Sequence, residues 1–522
     1  MSLDRRERLR ALGGNETWDV VVIGGGASGL GTAVEAASRG LSTLLLERND
    51  FAQGTSSRST KLVHGGVRYL EQLNLPLVLD ALRERGCMLR NAPHLVHKLN
   101  FVVPAYSYAA IPYYGIGLKA YELLSGSSSF GRSEFLSVAG TTRRIPTLRQ
   151  QGLRGGVLYR DGQFDDARYA ISLMRTLEDL GGVALNYAEV TGLLKRDGRI
   201  EGVTVRESEA GGNFDVLAQV VINATGAFMR SILEMENKEE IAPLALSQGS
   251  HFVLPKEFLP SPDALMIPKT DDGRVLFAIP WHEHLLVGTT DEAVAHSAVE
   301  PRATASEKSF LSGHIRKYLG RTVTKADVLS VWSGLRPLVR KGNAATSKLS
   351  RDHHIVRSPA GLISVMGGKW TTYRKMGEDT LEVAINASGL SAAASRSKTL
   401  KLHGWQEQPA TGIAESDRVY GTDLEMIDNI GADDPSLNER LHPQLPYRRC
   451  EVIWAARYEQ ARTTEDILAR RTRALFLNAK AAAEAAPEVS RILATELQRD
   501  ESFRQRDLDR FQDVARGYLL EY

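Results

Sequence analysis

The chain has 522 residues, 43% of them hydrophobic and 25% charged, with 65 Lys and Arg against 63 Asp and Glu. That profile excludes a disordered or collagen-like chain, and the near-zero net charge gives no global basic field for nucleic acid, so affinity for phosphate or a membrane must come from local clusters. Two distant cysteines, Cys87 and Cys450, exclude a disulfide framework and a four-cysteine metal site, and at about 150 residues per domain the length predicts three domains.

Residues 1–17 are polar and arginine-rich, with no apolar run of signal-peptide length. No stretch approaches the roughly 18 apolar residues of a membrane span, so the chain is expected to be soluble or to lie on a membrane surface. Asp19-Val20-Val21-Val22-Ile23 then reads as a strand buried on both faces. G-x-G-x-x-G follows at Gly24, Gly26 and Gly29. Leu30, Ala33, Val34 and Ala37 continue as one helical stripe that stops at Gly40. A second strand, residues 43–46, ends at Glu47, 23 positions after Gly24. Gly24 suits the tight turn, Gly26 a close approach of pyrophosphate, and Gly29 close packing of helix on strand. The helix start offers free N–H groups to the anion, and Glu47 can accept from ribose hydroxyls. The alternative is a glycine-rich turn without a ligand, but strand, helix and acid in register favour dinucleotide binding. The motif does not separate FAD from NAD.

Residues 109–121, from Ala109 to Tyr121, hold three tyrosines and several aliphatics with one lysine and no acid. They suit either an interfacial segment or a buried helix. Arg5, Arg6, Arg8 and Arg10 would add attraction to anionic lipid. Leu193 to Val205 forms a hairpin about Asp197-Gly198. It leads into a buried strand, residues 220–223, that ends in Ala224-Thr225-Gly226. A meander returning to the nucleotide sheet at A-T-G resembles the flavoproteins of the glutathione-reductase and D-amino-acid-oxidase type. Further on, strands are expected at Val275 to Ile279 and Leu285 to Thr289, joined by the tip Trp281 to His284. Residues from about 395 are rich in Ala, Glu and Arg with helical periodicity.

Residues 55–70 read T-S-S-R-S-T-K-L-V-H-G-G-V-R-Y-L, and residues 366–375 read M-G-G-K-W-T-T-Y-R-K. Between them stand Gly249-Ser250-His251, Gly288-Thr289-Thr290-Asp291 and Ser333-Gly334-Leu335-Arg336-Pro337. This set, in this order, resembles the FAD-dependent glycerol-3-phosphate dehydrogenases over about residues 18–390, and more weakly through residues 464–473. The resemblance implies an α/β fold: a Rossmann-like FAD-binding domain, an antiparallel-sheet substrate domain and an all-helical C-terminal cap. Residues 18–100, 150–230 and 345–385 would form the first, 101–149 and 231–344 the second, and 395–522 the third.

The same resemblance implies oxidation of sn-glycerol 3-phosphate to dihydroxyacetone phosphate by hydride transfer to a non-covalent FAD, with electrons passed to a membrane quinone. Expected FAD contacts are Gly24, Gly26, Ser28, Gly29, Glu47, Thr55, Ser56, Ser57, Lys61, Leu62, His64, Gly65, Val190, Ala224, Thr225, Gly226, Gly368, Lys369 and Thr371. Arg68, Arg336 and Lys369 each lie beside glycine, as backbone crowded against a ligand would, and three cations suit a small phosphate dianion. They are expected at the substrate with Tyr69, Thr372 and, more weakly, Arg351. His251 is favoured over His64 as the base that takes the hydroxyl proton, with His64 positioning the flavin. No metal motif is present. A peripheral protein on the cytoplasmic face of a bacterial inner membrane, possibly a homodimer, is expected. An oxygen-using α-glycerophosphate oxidase and a catalytically silent flavin-binding scaffold are the rival readings.

Overall fold

The computed structural model describes residues 4–14, 16–66, 74–126, 129–209, 211–237, 244–271, 273–339, 352–407 and 412–520. Arg68, Tyr69 and Arg351 lie outside the described residues.

Two large sheets organise the chain. The first runs in the order His353–Arg357, Ile363–Gly367, Asn213–Asn223, Trp18–Ile23, Thr43–Leu46, Val183–Leu185. The last five of these strands are parallel. Val20, Val21 and Val22 are wholly buried, as a strand covered on both faces requires. The strand Asn213–Asn223 serves twice. Its first half pairs antiparallel with Arg199–Glu207, and its second half runs parallel to Trp18–Ile23. The hairpin before it turns at Asp197 and Gly198, both at positive φ. Helix Ala27–Ser38 packs against Tyr373–Ser388 at Gly31 and Gly377. A Cβ on Gly377 would stand 2.6 Å from the Gly31 backbone, so only glycine permits that crossing.

The second sheet runs Glu292–Val294, Leu244–Pro255, His284–Gly288, Leu276–Trp281, Ala264–Ile267, Val96–Ala105, Gly155–Phe164, Leu62–Val63. Its neighbours are antiparallel except Ala264–Ile267 against Val96–Ala105. Ser330–Val339 lies along the other side of Leu244–Pro255. The expected hairpin about residues 281–284 turns at His282 and Glu283, both at positive φ. Strand pairing puts Leu62–Val63 and Gly155–Phe164 in this sheet, although the sequence boundaries at 100 and 150 grouped them with the nucleotide strands. Periodicity marks a strand but not the sheet it joins.

Helices Arg449–Tyr458, Ala479–Glu496 and Glu501–Arg516 dominate the C-terminal region. Their apolar faces share a core with Trp281, Trp332 and Phe476. At the other end, helix Arg5–Leu12 is tied down by Arg5 on Glu207 at 2.6 Å and by buried Arg8 on Glu178. Those two arginines are therefore not available to lipid, contrary to expectation.

Candidate functional site

A cleft opens at the carboxyl ends of the parallel strands, where ligands bind in open α/β sheets. Gly24, Gly26, Ser28, Glu47, Val190, Ala224, Thr225 and Gly226 line it. Each glycine has a distinct reason. Gly24 has φ +109°, and a Cβ there would meet the Ala224 carbonyl oxygen at 2.8 Å. A Cβ on Gly29 would lie 1.9 Å from the Gly24 oxygen, so Gly29 serves packing and does not line the cleft. Gly26 caps the helix without a side chain, and a Cβ there would come within 3.1 Å of the Ser56 hydroxyl. That hydroxyl accepts from Ala27 N at 2.9 Å. Glu47 accepts from Gly25 N at 2.6 Å and Asn49 N at 2.8 Å, which fixes the carboxylate while leaving lone pairs for hydroxyl donors. Burial pushes its pKa above the ordinary carboxylate value, against those two bonds. Arg48, stacked over Phe228 at 5.0 Å, also lines this cleft and was not legible in the motif.

Thr55, Gly368, Lys369 and Trp370 line both this cleft and a second cavity against the second sheet. The turn at 55–57 places Thr55, and strand Ile363–Gly367 delivers the other three: Gly367 and Gly368 have φ +73° and +81°, a tandem left-handed turn that swings Lys369 to the junction. Trp370 donates to the Ser56 carbonyl at 2.8 Å and packs edge-on against Phe164, Tyr169 and Tyr373. The second cavity gathers His64, His251, Arg274, Arg336, Lys369 and Thr371 with Thr60 and Asp291.

Arg336 is placed by the pairing of Ser330–Val339 with Leu244–Pro255. It donates to the Thr289 hydroxyl at 3.0 Å and the Thr290 carbonyl at 3.3 Å, with Asp291 at 3.9 Å. A Cβ on Gly249 would stand 2.2 Å from its Nη2, so the glycine before Ser250 and His251 makes room for the guanidinium. His251 is wholly buried and stacks on Trp332 with centroids 4.1 Å apart. Burial, then Lys61 and Arg336, hold its pKa well below the ordinary histidine value, so the ring is neutral at neutral pH. The loop around Gly65 is pinned from below: its N–H donates to Tyr121 at 2.7 Å, and Tyr121 donates to Asp161, which is paired with Arg85 at 2.8 Å.

Several expected contacts are placed elsewhere. The Lys61 ammonium points away from both cavities into an ion pair with Asp166 at 2.7 Å and a bond to the Ser57 carbonyl at 2.8 Å. Ser57 and Gly65 are buried behind the walls, and Leu62 lines the second cavity rather than the first. Thr372 does not line the second cavity, because its hydroxyl turns back to the Lys369 carbonyl at 3.2 Å. Among the described residues no cluster of His, Cys, Asp and Glu could hold a metal ion.

Residues 19–374 match the family described as FAD dependent oxidoreductase, and residues 367–504 match the C-terminal domain of alpha-glycerophosphate oxidase. The mitochondrial glycerol-3-phosphate dehydrogenase of Homo sapiens is 38% identical, over 99% of this chain and 75% of that protein. The corresponding protein of Macaca fascicularis is also 38% identical, over 97% of this chain and 74% of its own length. Among solved structures, the glycerol-3-phosphate dehydrogenase from Bacillus halodurans complexed with FAD is similar with TM-score 0.80 and 26% identity, covering 99% of this chain and 98% of that one.

Proposed function

Because the chain belongs to the FAD-dependent glycerol-3-phosphate dehydrogenases, we propose that it oxidises sn-glycerol 3-phosphate to dihydroxyacetone phosphate and hands the electrons to a quinone at a membrane surface. The observation that carries this reading is the junction of the two cavities at Lys369, with Arg336 and His251 on the walls of the second. The first cleft fits FAD: a Gly26 cradle that a Cβ would narrow, a helix start whose N-cap has no side chain to compete for its N–H groups, and the Glu47 carboxylate where a ribose needs an acceptor. Bound there, FAD supplies the two-electron acceptor for the hydrogen on C2. Arg336 and Lys369 hold the phosphate, with Arg68 as a third cation, so phosphate binding fixes the position of C2. Neutral His251 takes the hydroxyl proton.

The surface supports a membrane encounter. Helix Ala110–Ser125 exposes Tyr113, Ile116 and Leu123 at 60%, 71% and 83%, one stripe at i, i+3 and i+10, with Tyr108 and Phe135 also exposed. Lys98, Lys119 and Arg132 line a shallow cleft beside Leu123. Leu118 is 3% exposed and belongs to the core, so the segment divides between the interior and the surface. Among the described residues no helix is long and apolar enough to cross a membrane.

Anaerobic mixing with glycerol 3-phosphate tests the reading. The flavin absorbance should bleach, and a quinone analogue in liposomes should restore it without peroxide. An unbleached flavin overturns the activity, and rapid peroxide formation in an oxygen electrode replaces the quinone with oxygen.

A further inference from the structure

His251 sits at the centre of Leu244–Pro255, opposite Gly288 on one neighbouring strand and Trp332 on the other. Its ring lies over Gly288, where a Cβ would reach 2.1 Å from Cδ2, and its second face is covered by Trp332. Neither an apolar stack nor a glycine distinguishes nitrogen from carbon, so those contacts do not by themselves choose between the two nearly isosteric χ2 poses of the ring. One polar contact does. Nε2 lies 3.0 Å from the Thr60 hydroxyl, and Nδ1 is buried with no hydrogen bond among the described residues.

Thr60 is in turn held rigidly. Lys61 follows it at φ +62°, a left-handed conformation unusual for a lysine side chain. The conformation is locked because the ammonium is fixed by Asp166 and the Ser57 carbonyl and enclosed by Trp281, Trp332 and Phe476. Asp166 also accepts from Ser59 N and the Ser59 hydroxyl at 2.9 and 2.7 Å. Arg473, from the helical C-terminal region, donates to the Ser57 carbonyl at 2.9 Å and to Asp166 at 3.2 Å. The turn carrying Thr60 is thus clamped from beneath by a fully buried ion cluster, and its hydroxyl is the end of that clamp nearest His251.

We propose that Thr60 is a positioning residue for His251: its hydroxyl selects one orientation of the buried imidazole. The proposal rests on His251 as the proton acceptor. A hydroxyl pairs with a ring nitrogen in either protonation state but not with a ring carbon, so the contact fixes which edge of the ring carries nitrogen toward the cavity. Lys61 beside Thr60, Arg336 on the Trp332 strand and Asp291 beyond Gly288 are the charges around the ring. Among the described residues the His251 ring hydrogen-bonds to Thr60 alone.

Thr60→Val removes the hydroxyl at nearly constant shape, and Thr60→Ser keeps it. In the holoenzyme, T60V should retain full flavin absorbance and an unchanged substrate Kd. Its flavin reduction should slow by about 10- to 100-fold, the range for loss of a bond that orients a ligating or catalytic histidine. Its acid limb should shift, and T60S should recover to within about threefold of wild type. Combined with His251→Gln, T60V should add no further loss, since it acts through that ring. In protein labelled with 15N-histidine, the ring resonances absent from H251Q should be sharp in wild type and T60S, and broadened by exchange between two ring orientations in T60V. Equal rates for T60V and wild type, or losses that multiply in the double variant, overturn the proposal while leaving His251 as the base. A wild-type rate for H251Q alone overturns the base assignment and the proposal with it. Sharp, unchanged ring resonances in T60V overturn the positioning role whatever the rate.

Discussion

Asp50 and Arg471 meet fully buried, 421 residues apart in sequence, with Arg471 Nη1 donating to Oδ2 at 2.7 Å and Nη2 to Oδ1 at 2.8 Å. Asp50 follows the Glu47 strand end, and Arg471 belongs to the helical region, so this pair joins the nucleotide cleft to the C-terminal helices. Arg470 adds a third bond to the same carboxylate at 2.5 Å. Burial alone would raise the Asp50 carboxyl, but Arg471 and Arg470 more than offset it and hold the pKa at about 2.

Asp50→Asn leaves the buried Arg471 guanidinium without its ion-pair partner, while Arg470 keeps Glu465 and Asp466 at 2.8 Å each. Such a loss costs about 3–5 kcal/mol, so the variant should unfold at markedly lower urea and release flavin earlier at neutral pH. The depressed pKa fixes the pH dependence. The carboxylate's contribution is present above the ordinary aspartate value near 4 and disappears as pH falls toward 2. The stability gap between wild type and variant should therefore close over that window. A constant gap would mean that Asp50 acts by shape.

Gly26→Val should yield a colourless protein. The first side-chain carbon already comes within 3.1 Å of Ser56 Oγ, and two methyl groups more would push into the space left for pyrophosphate. The measurement is flavin absorbance after gel filtration, alongside circular dichroism to show that the fold persists. Full flavin content would remove the pyrophosphate from this loop.

Arg336→Ala should lower kcat/KM for glycerol 3-phosphate by roughly 30-fold to several thousand-fold, as truncation of a buried charged contact costs about 2–5 kcal/mol. Glycerol should be a poor substrate and lose less. Gly249→Ala offers an independent probe, since its Cβ would displace the guanidinium without altering any charge. It should raise KM in the same direction. Equal losses for glycerol and its phosphate would move Arg336 from the phosphate to C2 or to structure.

Ile116→Glu with Leu123→Glu should leave FAD binding and dye reduction intact while abolishing sedimentation with anionic liposomes and quinone reductase activity. Leu118→Glu, in the core one turn away, should instead destabilise the fold because it buries a carboxylate. A double variant that still binds liposomes would place the membrane contact elsewhere.

The nucleotide cleft was legible because Gly24, Gly26, Gly29 and Glu47 act through local backbone geometry, which a fixed spacing encodes. Residues 55–65 were recognisable as a motif, but their facing was not. Lys61 adopts φ +62° in an irregular turn, so no periodicity tells that Thr60 faces the cavity and Lys61 the ion cluster. Arg471 and Arg473 carry no local signal of burial, because the acids that pair with them, Asp50 and Asp166, lie more than 300 residues earlier. Residues 109–121 gave an apolar helix whose phase alone decides that Leu118 is inside and Ile116 outside.

The strand order of the nucleotide sheet also sets a timetable for biosynthesis. Trp18–Ile23 cannot gain its neighbour Asn213–Asn223 until about 200 further residues are made, and that strand waits again for Ile363–Gly367. Elongation at about 5–20 residues per second leaves the first βαβ segment with an unpaired edge carrying Val20, Val21, Val22 and Ile23 for roughly ten seconds or more. The Gly367–Gly368 turn and Met376, which also line the cleft, emerge later still. Nascent chains arrested before residue 370 should therefore remain bound to chaperones and capture no flavin, so cofactor uptake waits until more than two thirds of the polypeptide has been made.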